Sequence, residues 1–406
     1  MSTATDSNAS DISPNYSPMY SDLADYYLHW YHPRPVAVTP ARRDELRRLH
    51  RCLMACINHF VRHYEELTAR YMPLSDKEME ILEEQNIYPF RAGTFRPDYI
   101  ITEDGELRIC EITSRFFAHG IFMSWFGDLY AKAFCSTRAL PEPESRFSEM
   151  MDYMLEITGG ARRMFVFKSS DRTSEIRLYK RFYEAHGIEV RVLEAAEVEP
   201  LRREWDHPGT FLASALNQQD ILSMGMDTLR AMMRLGCYSD FRNIFLIHDK
   251  RFMHMWFEDS FTAGCLNAED AAFLRAHAIP TWLTPPPDAL SNKDAYIIKP
   301  WRLGKSEGVH AGPLTPESEW RELFCSGAAD SMVAQPFLRQ RTYKTEFEGK
   351  PFDDYACGMM LCVDDRYFDS GYFRCSSIPV TNQGDDRKAA VIHTGDPAIL
   401  QLCDLL

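Results

Sequence analysis

A lysine followed by a glycine-bearing loop is the segment of this chain whose residue types could do the most chemistry. In IIKPWRLGKSEGV, residues 297 to 309, apolar residues lead into Lys299. The loop after it supplies Gly304, Lys305, Ser306 and Gly308. Glycines let backbone N–H groups approach phosphate oxygens, and an ammonium group offsets the phosphate charge. The segment therefore predicts a polyphosphate site, and the alternative is a surface turn between two strands. It is not a Walker A motif, because Lys299 stands where that motif needs a glycine.

A second group of reactive residue types lies in FRPDYIITEDGELRICEITSRF, residues 95 to 116. Two β-rich arms flank Asp104-Gly105, a dipeptide that tolerates the positive φ angles of a tight hairpin turn. Alternate residues of a strand share a face, so Glu111 and Thr113 project together, and Asp98 on the paired arm can reach the same side. Two converging carboxylates repel each other unless a cation lies between them, and such hard oxygen ligands suit Mg2+ that arrives with ATP.

Two arginines, Arg96 and Arg115, flank these carboxylates and could hold anionic groups. The alternative is an exposed hairpin whose charged residues form surface ion pairs, each contributing about 0–1 kcal/mol. Four histidines, His119, His248, His254 and His310, lack zinc-site spacing and are interpreted as packing or surface groups.

The bulk properties of the chain exclude several classes of protein. It has 406 residues, 45% of them hydrophobic, which is enough to bury a large core. A net charge of -14 opposes binding to DNA, RNA or an anionic membrane, so any bound polyanion should be small. Eleven cysteines without a CxxC pair indicate a reducing compartment. With no signal peptide or membrane-spanning apolar run, we expect a cytoplasmic protein whose residues 1–19 form a disordered tail.

Hydrophobic periodicity predicts a mixed α+β chain. Residues 40 to 71 read as a long amphipathic helix, whose apolar face could serve a homodimer. Ser75 and Glu78 form a capping box for the next helix. Residues 164 to 192 read as strand, helix and strand, a βαβ unit, and two helical segments follow at about 221–236 and 251–276. The last hundred residues look β-rich.

Taken together, these motifs resemble the ATP-grasp ligases, whose fold grips ATP between two α+β lobes. The resemblance makes Lys250 and Lys299 the two nucleotide lysines and MVAQPFL, residues 332 to 338, the hinge. It places Phe337 and Leu338 against the adenine edge, with Gln335 where an acidic residue is more common. It directs Arg96 toward the phosphates and puts Asp98 and Glu111 on magnesium, with Thr113 in place of the usual asparagine.

The order of the motifs resembles a circularly permuted branch of that family, typified by the synthetase part of glutathionylspermidine synthase, in which the acidic motif is N-terminal. A GxxR-like segment, Gly371 to Arg374, and the pair Thr381-Asn382 follow the hinge, as in that branch. The implied organisation is a tail (1–19), N-terminal helices with the metal-binding strand pair (20–157), a Rossmann-like βαβ pre-ATP-grasp subdomain (158–250) and the ATP-grasp lobes (251–406).

The resemblance implies an ATP-dependent carbon–nitrogen ligase with ATP and Mg2+ as cofactors. A small carboxylic acid, such as an amino acid or peptide, would become an acyl phosphate, and an amine would then displace phosphate to form an amide. Arg96, Arg374 and Arg115 would be the catalytic arginines, with Arg115 on the substrate carboxylate. Two alternatives stay open, namely a non-catalytic ATP-binding protein of the same fold and a phosphotransferase.

Overall fold

A computed structural model describes residues 31–170, 174–304, 306–347, 349–385 and 387–406. The tail predicted at residues 1–19 and the predicted phosphate ligand Lys305 lie outside the described residues. The helices are α1 (Pro40–Arg62), α2 (Tyr64–Tyr71), α3 (Asp76–Gln85), α4 (Ile121–Ser136), α5 (Phe147–Glu156), α6 (Ser174–Ala185), α7 (Ala195–Val198), α8 (Arg202–Trp205), α9 (Gln218–Ser223), α10 (Met226–Arg234), α11 (Phe252–Met255), α12 (Asp259–Thr262), α13 (Ala268–Ala276), α14 (Glu317–Cys325) and α15 (Pro397–Leu400).

The strands run from one end of the described chain to the other. They are β1 (Val36–Val38), β2 (Thr94–Ile101), β3 (Leu107–Thr113), β4 (Arg163–Lys168), β5 (Glu189–Glu194), β6 (Thr210–Ala215), β7 (Tyr296–Pro300), β8 (His310–Ala311), β9 (Met332–Pro336), β10 (Thr342–Phe347), β11 (Lys350–Val363), β12 (Arg366–Ser370), β13 (Phe373–Ser376), β14 (Arg387–Ala389), β15 (Val391–His393) and β16 (Asp404–Leu405). The mixed α+β class predicted from the sequence is confirmed.

The largest sheet joins the early hairpin to the C-terminal strands. Its order is β14-β13-β11-β2-β3, and β10 and β12 also pair with β11. The hairpin predicted around Asp104-Gly105 is present as β2 and β3, and Gly105 at its turn has φ +88°. The long strand β11 pairs antiparallel with β2, with Met359 opposite Asp98. This pairing carries the acidic residues of the hairpin into the C-terminal part of the fold.

Two smaller sheets flank this one. β7 lies between β8 and β9 in an antiparallel sheet that carries Lys299. The predicted βαβ unit is present as β4, α6 and β5, with parallel strands in the order β5-β4-β6. Backbone contacts tie the end of this parallel sheet to the segment after the hairpin, since the N–H of Phe117 donates to the carbonyl of Ser214 at 2.8 Å. A third small sheet pairs β1 with β15 and β16.

The helix predicted over residues 40 to 71 is divided into α1 and α2 at His63, which has φ -116° and ψ 27°. The apolar face of α1, including Leu46, Leu53 and Phe60, lies in the main hydrophobic core. Because the chain itself covers that face, the face is not free to form the dimer contact we expected of it. The capping box of Ser75 and Glu78 is present at the start of α3.

The predicted helices at 221–236 and 251–276 are likewise shorter than expected. The first segment is divided between α9 and α10, and the second among α11, α12 and α13. A π-helical turn at Asn243–Ile247 precedes Lys250, and all five of its residues are buried. Short helices joined by tight turns let this region wrap closely around the core and bring Lys250 to the large sheet.

Candidate active site

A cleft of about 700 Å³, its open mouth included, lies between the large sheet and the sheet that carries Lys299. Ten residues of its wall belong to the predicted site or to the matching C-terminal segments, namely Asp98, Glu111, Lys299, Ser306, Gln335, Phe337, Leu338, Arg374, Thr381 and Asn382. The Nζ atom of Lys299 donates to the backbone carbonyl of Cys110 on β3 at 3.2 Å. The acidic hairpin and the lysine strand, far apart in sequence, therefore face one cavity.

The register of the hairpin places on one face the four side chains that were predicted to form the site. Arg96 lies opposite Thr113, and Asp98 lies opposite Glu111. A register shift follows directly after Asp98, so that both Cys110 and Glu111 reach the cleft wall. Directly opposed residues of an antiparallel pair have Cβ atoms about 4.5–5.5 Å apart, so Asp98 and Glu111 leave the sheet as neighbours.

Two arginines hold the carboxylate of Asp98. Arg96 binds it through Nε at 2.7 Å and Nη2 at 3.0 Å, and Nη2 of Arg374 reaches Oδ2 at 2.7 Å. Burial would raise the pKa of Asp98, but the two guanidinium groups outweigh burial and hold the pKa below its usual value. Nη1 of Arg374 also donates to Oδ1 of Asn382 at 3.0 Å. The arginines predicted to meet phosphate are thus prepositioned by a carboxylate.

Lys250 approaches the other carboxylate. Its Nζ atom lies 3.9 Å from Oε1 of Glu111 and donates to the carbonyl of Leu303 at 2.5 Å. Burial lowers the pKa of Lys250. The charge of Glu111 acts to raise this pKa, and the nearby charges of Lys299 and Arg115 lower it further. Lys250, Lys299 and Arg115 are therefore close enough for their charges to interact, an arrangement that suits a polyanionic ligand.

The glycine loop lies against Arg115. A Cβ atom on Gly304 would lie 2.5 Å from Nη2 of Arg115, so the loop backbone passes close to the guanidinium. The guanidinium of Arg115 also stacks on the ring of Phe116 at 4.1 Å. Nε2 of Gln383 donates to the carbonyls of Ser306 and Val309, each at 3.0 Å, and so ties the loop to the segment after β13.

Several predicted residues lie beside the cavity wall and not on it. Six belong to this group, namely Arg96, Thr113, Arg115, Lys250, Gly304 and Gly308. The carbonyl of Thr113 contacts Nε2 of His119 at 2.9 Å, and Thr113 is half-buried opposite Arg96. Their roles toward a ligand stay predictions.

Only part of the backbone of the predicted hinge is available to form hydrogen bonds with a nucleotide base. The N–H of Phe337 donates to the carbonyl of Ala295 at 2.8 Å, which commits that group to the protein. The backbone that we expected to meet adenine is therefore reduced to the carbonyl of Phe337 and to Leu338. Gln335 on β9 is fully buried, and its Nε2 atom donates to Oγ1 of Thr281 at 2.9 Å.

The histidines near the cleft are packing groups. His119 is buried between two backbone carbonyls, and burial, with Arg96 adding to it, lowers its pKa to about 3. His248 is held by the carbonyl of Ile112 at 3.3 Å, and burial lowers its pKa well below the usual value. Burial thus disfavours the charged form of both rings.

A few residues of the site have no local sequence signal. Cys110 and Cys357 both line the cleft, and Nη2 of Arg374 donates to Sγ of Cys357 at 3.5 Å. Thr281 and Gln383 position Gln335 and the glycine loop through their side chains. Each of these contacts depends on strand order and loop packing, which no short motif encodes.

Oxygen ligands for a metal are present, although the protein does not form a complete metal site by itself. Among the described ranges, no group of three or more His, Cys, Asp or Glu side chains could hold a metal ion. The oxygens of Asp98, Glu111 and Asn382 all line the cleft. Mg2+ is usually bound through one or two carboxylates together with substrate phosphates, and Glu111 fits a magnesium ion that arrives with a nucleotide. Asp98 and Asn382 would have to give up contacts with Arg96 and Arg374 to join it.

Two comparisons with known proteins bear on this arrangement. A family model described as the AnkG N-terminal domain matches residues 49–246, a range that contains the hairpin and the βαβ unit but neither Lys250 nor Lys299. A curated relative, the ATP-grasp enzyme ankG of Aspergillus thermomutatus, is 24% identical over 387 residues, with 79% of each chain covered. The chain is similar to an ATP-grasp enzyme. This similarity supports the ATP-grasp superfamily, to which the residue pattern also pointed.

Among the helices of the described residues, none is both long enough and apolar enough to cross a membrane.

Proposed function

We propose that the protein is an ATP-dependent carboxylate–amine ligase that forms an amide or peptide bond through an acyl phosphate and releases ADP and phosphate. The observation that carries this proposal is the shared cleft, in which Asp98 and Glu111 of the hairpin face Lys299 and Arg374. A similar enzyme described as ATP-grasp supports it. The order of the motifs also favours a permuted ATP-grasp arrangement like that of glutathionylspermidine synthase.

The side chains of the cleft have separate tasks in this proposal. Lys250 and Lys299 would bind the phosphates electrostatically. Arg96 and Arg374 would donate hydrogen bonds to the phosphoryl group that is transferred. Asp98 and Glu111 would hold Mg2+, which supplies charge neutralisation at the phosphates. Arg115 would hold the carboxylate of the acid by a bidentate contact. Closure of the loop that carries Ser306, which lines the cleft, would keep water from the acyl phosphate.

The proposal implies a small acid, such as an amino acid or peptide, and an amine as substrates. A net charge of -14 disfavours binding to a nucleic acid. A cytoplasmic location remains an expectation, and a homodimer would need a surface other than the buried apolar face of α1.

A hydroxylamine trapping experiment tests this function before the amine substrate is identified. Full-length protein is incubated with ATP, Mg2+, hydroxylamine and a panel of carboxylic acids. We expect ADP, phosphate and a hydroxamate in equal amounts with at least one acid, because hydroxylamine attacks acyl phosphates.

The other outcomes distinguish the alternatives. A phosphorylated product without free phosphate would indicate a phosphotransferase. ATP binding without turnover on any acid would favour the non-catalytic binder. The structural argument for that alternative is the pairing of Asp98 with two arginines, because this pairing occupies a carboxylate that was predicted to bind the metal.

A further inference from the structure

Two free thiols meet where α1 packs against the connection between α12 and α13. The Sγ atoms of Cys56 and Cys265 lie 3.8 Å apart, although 209 residues separate the two cysteines in the chain. Neither residue lines the cleft. The sulfurs need to approach by a little under 2 Å to reach the length of an S–S bond, which is about 2.05 Å.

The backbone of this connection lies directly on α1. A Cβ atom on Gly264 would lie 2.5 Å from Cε1 of His59, which follows Cys56 by three residues on α1. On the other side, Sγ of Cys52 lies 4.0 Å from the carbonyl oxygen of Asp270. The connection therefore contacts the helix on both sides of the thiol pair, which leaves the short path between chains that a disulfide needs.

Cys265 is the thiol that an oxidant reaches first. It is half-buried in the turn after α12, whereas Cys56 has no exposed surface. The hydrogen bond from the thiol of Cys56 lowers the pKa of Cys265, and burial acts against this effect. The same hydrogen bond raises the pKa of Cys56. Because the thiolate is the nucleophile, Cys265 is the attacking thiol and Cys56 is the resolving one.

We propose that Cys56 and Cys265 form a reversible disulfide when the protein meets a peroxide. The sulfur of Cys265 attacks one peroxide oxygen, the O–O bond breaks, and a sulfenic acid and one water form. The sulfur of Cys56 then attacks that of Cys265 and expels hydroxide, which takes the thiol proton and leaves as a second water. In a reducing compartment such bonds are transient, and they respond to the supply of oxidant. This site is independent of the proposed function.

The disulfide would fasten α1 to the segment that supports the cleft wall. At present polar contacts join α1 to this segment, since Nε2 of His277 lies 2.6 Å from Oε1 of Glu45 and Nε of Arg48 donates to Asp270 at 2.9 Å. Exposed ion pairs of this kind contribute little to stability. A covalent bond across 209 residues closes a long loop in the unfolded chain, where the loss of chain entropy is largest.

Peptide mapping of the full-length protein tests the proposal. The protein is treated with hydrogen peroxide, free thiols are blocked with N-ethylmaleimide, and trypsin digestion follows without reductant. Cleavage after arginine puts Cys56 in residues 52–62 and Cys265 in residues 252–275. We expect these two peptides to be joined, with the bond at Cys56 and not at Cys52, and we expect dithiothreitol to separate them.

Thermal midpoints give a second measurement. We expect the oxidised wild type to melt about 2–6 °C above the reduced protein. Cys265→Ser should lose this rise, whereas Cys325→Ser, at an exposed cysteine on α14, should keep it and is the matched control. Unjoined peptides, a bond through Cys52, or joined peptides without a higher midpoint would overturn the proposal. The mapping uses the wild type, so it decides the question even if Cys265→Ser does not fold.

Discussion

At the scale of single residues, Lys299 is the predicted nucleotide lysine that lines the cleft. It lies in the cleft wall, and its Nζ atom contacts the hairpin through the carbonyl of Cys110. Replacement by methionine keeps the length of the side chain and removes its charge. We expect Lys299→Met to lower the rate of hydroxamate formation by about 10²–10³-fold, the usual effect of losing one preorganised electrostatic group.

Lys77→Met is the control for this change. Lys77 lies on α3 outside the cleft and pairs with Glu80 at 3.5 Å on the surface. Its replacement should leave the rate within error of the wild type. A rate for Lys299→Met equal to that of the control would show that Lys299 has no role in the reaction.

The two carboxylates of the hairpin should differ in their contribution to stability. Asp98→Asn leaves Arg96 and Arg374 buried without a countercharge, and we expect the free energy of unfolding to fall by about 3–5 kcal/mol. Glu111 is more exposed and lies 3.9 Å from its lysine, so Glu111→Gln should cost about 1 kcal/mol or less. Urea titrations measure both. Equal losses in the free energy of unfolding would contradict the conclusion that Asp98 is the countercharge of Arg96 and Arg374.

At the scale of elements, strand β11 connects the hairpin to the C-terminal strands, and two aromatic rings pack against it at Gly358. A Cβ atom there would lie 2.5 Å from the ring of Tyr99 and 2.6 Å from that of Phe373, two rings packed edge to face at 5.7 Å. We expect Gly358→Ala to destabilise the protein by roughly 1–3 kcal/mol through overpacking, seen as a lower thermal midpoint.

The matched control for that strand is Gly349→Asn, in the turn before β11. Gly349 has φ +74° with open space around it, and asparagine tolerates this conformation better than other side chains. The midpoint should therefore change little. If Gly358→Ala melts at the same temperature as the control, the two rings move apart more easily than the packing implies.

At the scale of the whole molecule, buried histidines couple stability to pH. Burial lowers the pKa of His50 and of His393 to about 4, whereas in the unfolded chain histidine titrates near 6.5. Below about pH 6.5 the unfolded state therefore binds more protons than the folded state. Stability then falls as the pH falls from about 6.5 to 4, by about 1.4 kcal/mol per pH unit for each such histidine.

His50→Phe isolates one of these contributions. The ring of His50 stacks 5.8 Å from Phe95 and 5.8 Å from Tyr367, so phenylalanine keeps the packing and removes the titrating group. Urea titrations at pH 6 and pH 5 should show a pH slope smaller than that of the wild type by about one proton. Identical slopes would mean that His50 is protonated in the folded state.

Local patterns predicted the elements that depend on neighbouring residues. The Ser75–Glu78 capping box, the turn at Gly105 and the βαβ unit were all predicted correctly, because caps, turns and strand periodicity act over a few residues. The long helix at residues 40 to 71 was predicted without its break, since nothing in its periodicity marks His63 as an end. The order of the motifs also led us to predict that the acidic hairpin and Lys299 belong to one site.

The amino-acid sequence alone determined which residues could do chemistry here and the strands that carry them, because residue type and periodicity are local properties. Only the tertiary structure decided their partners. Arg374 reaches Asp98 across 276 residues, and Thr281 orients Gln335 across 54, through pairings of β11 and β9 that are set by the packing of the whole core. Hydrogen bonds of this kind require atoms to meet within about 3 Å, and that proximity is a property of the folded chain.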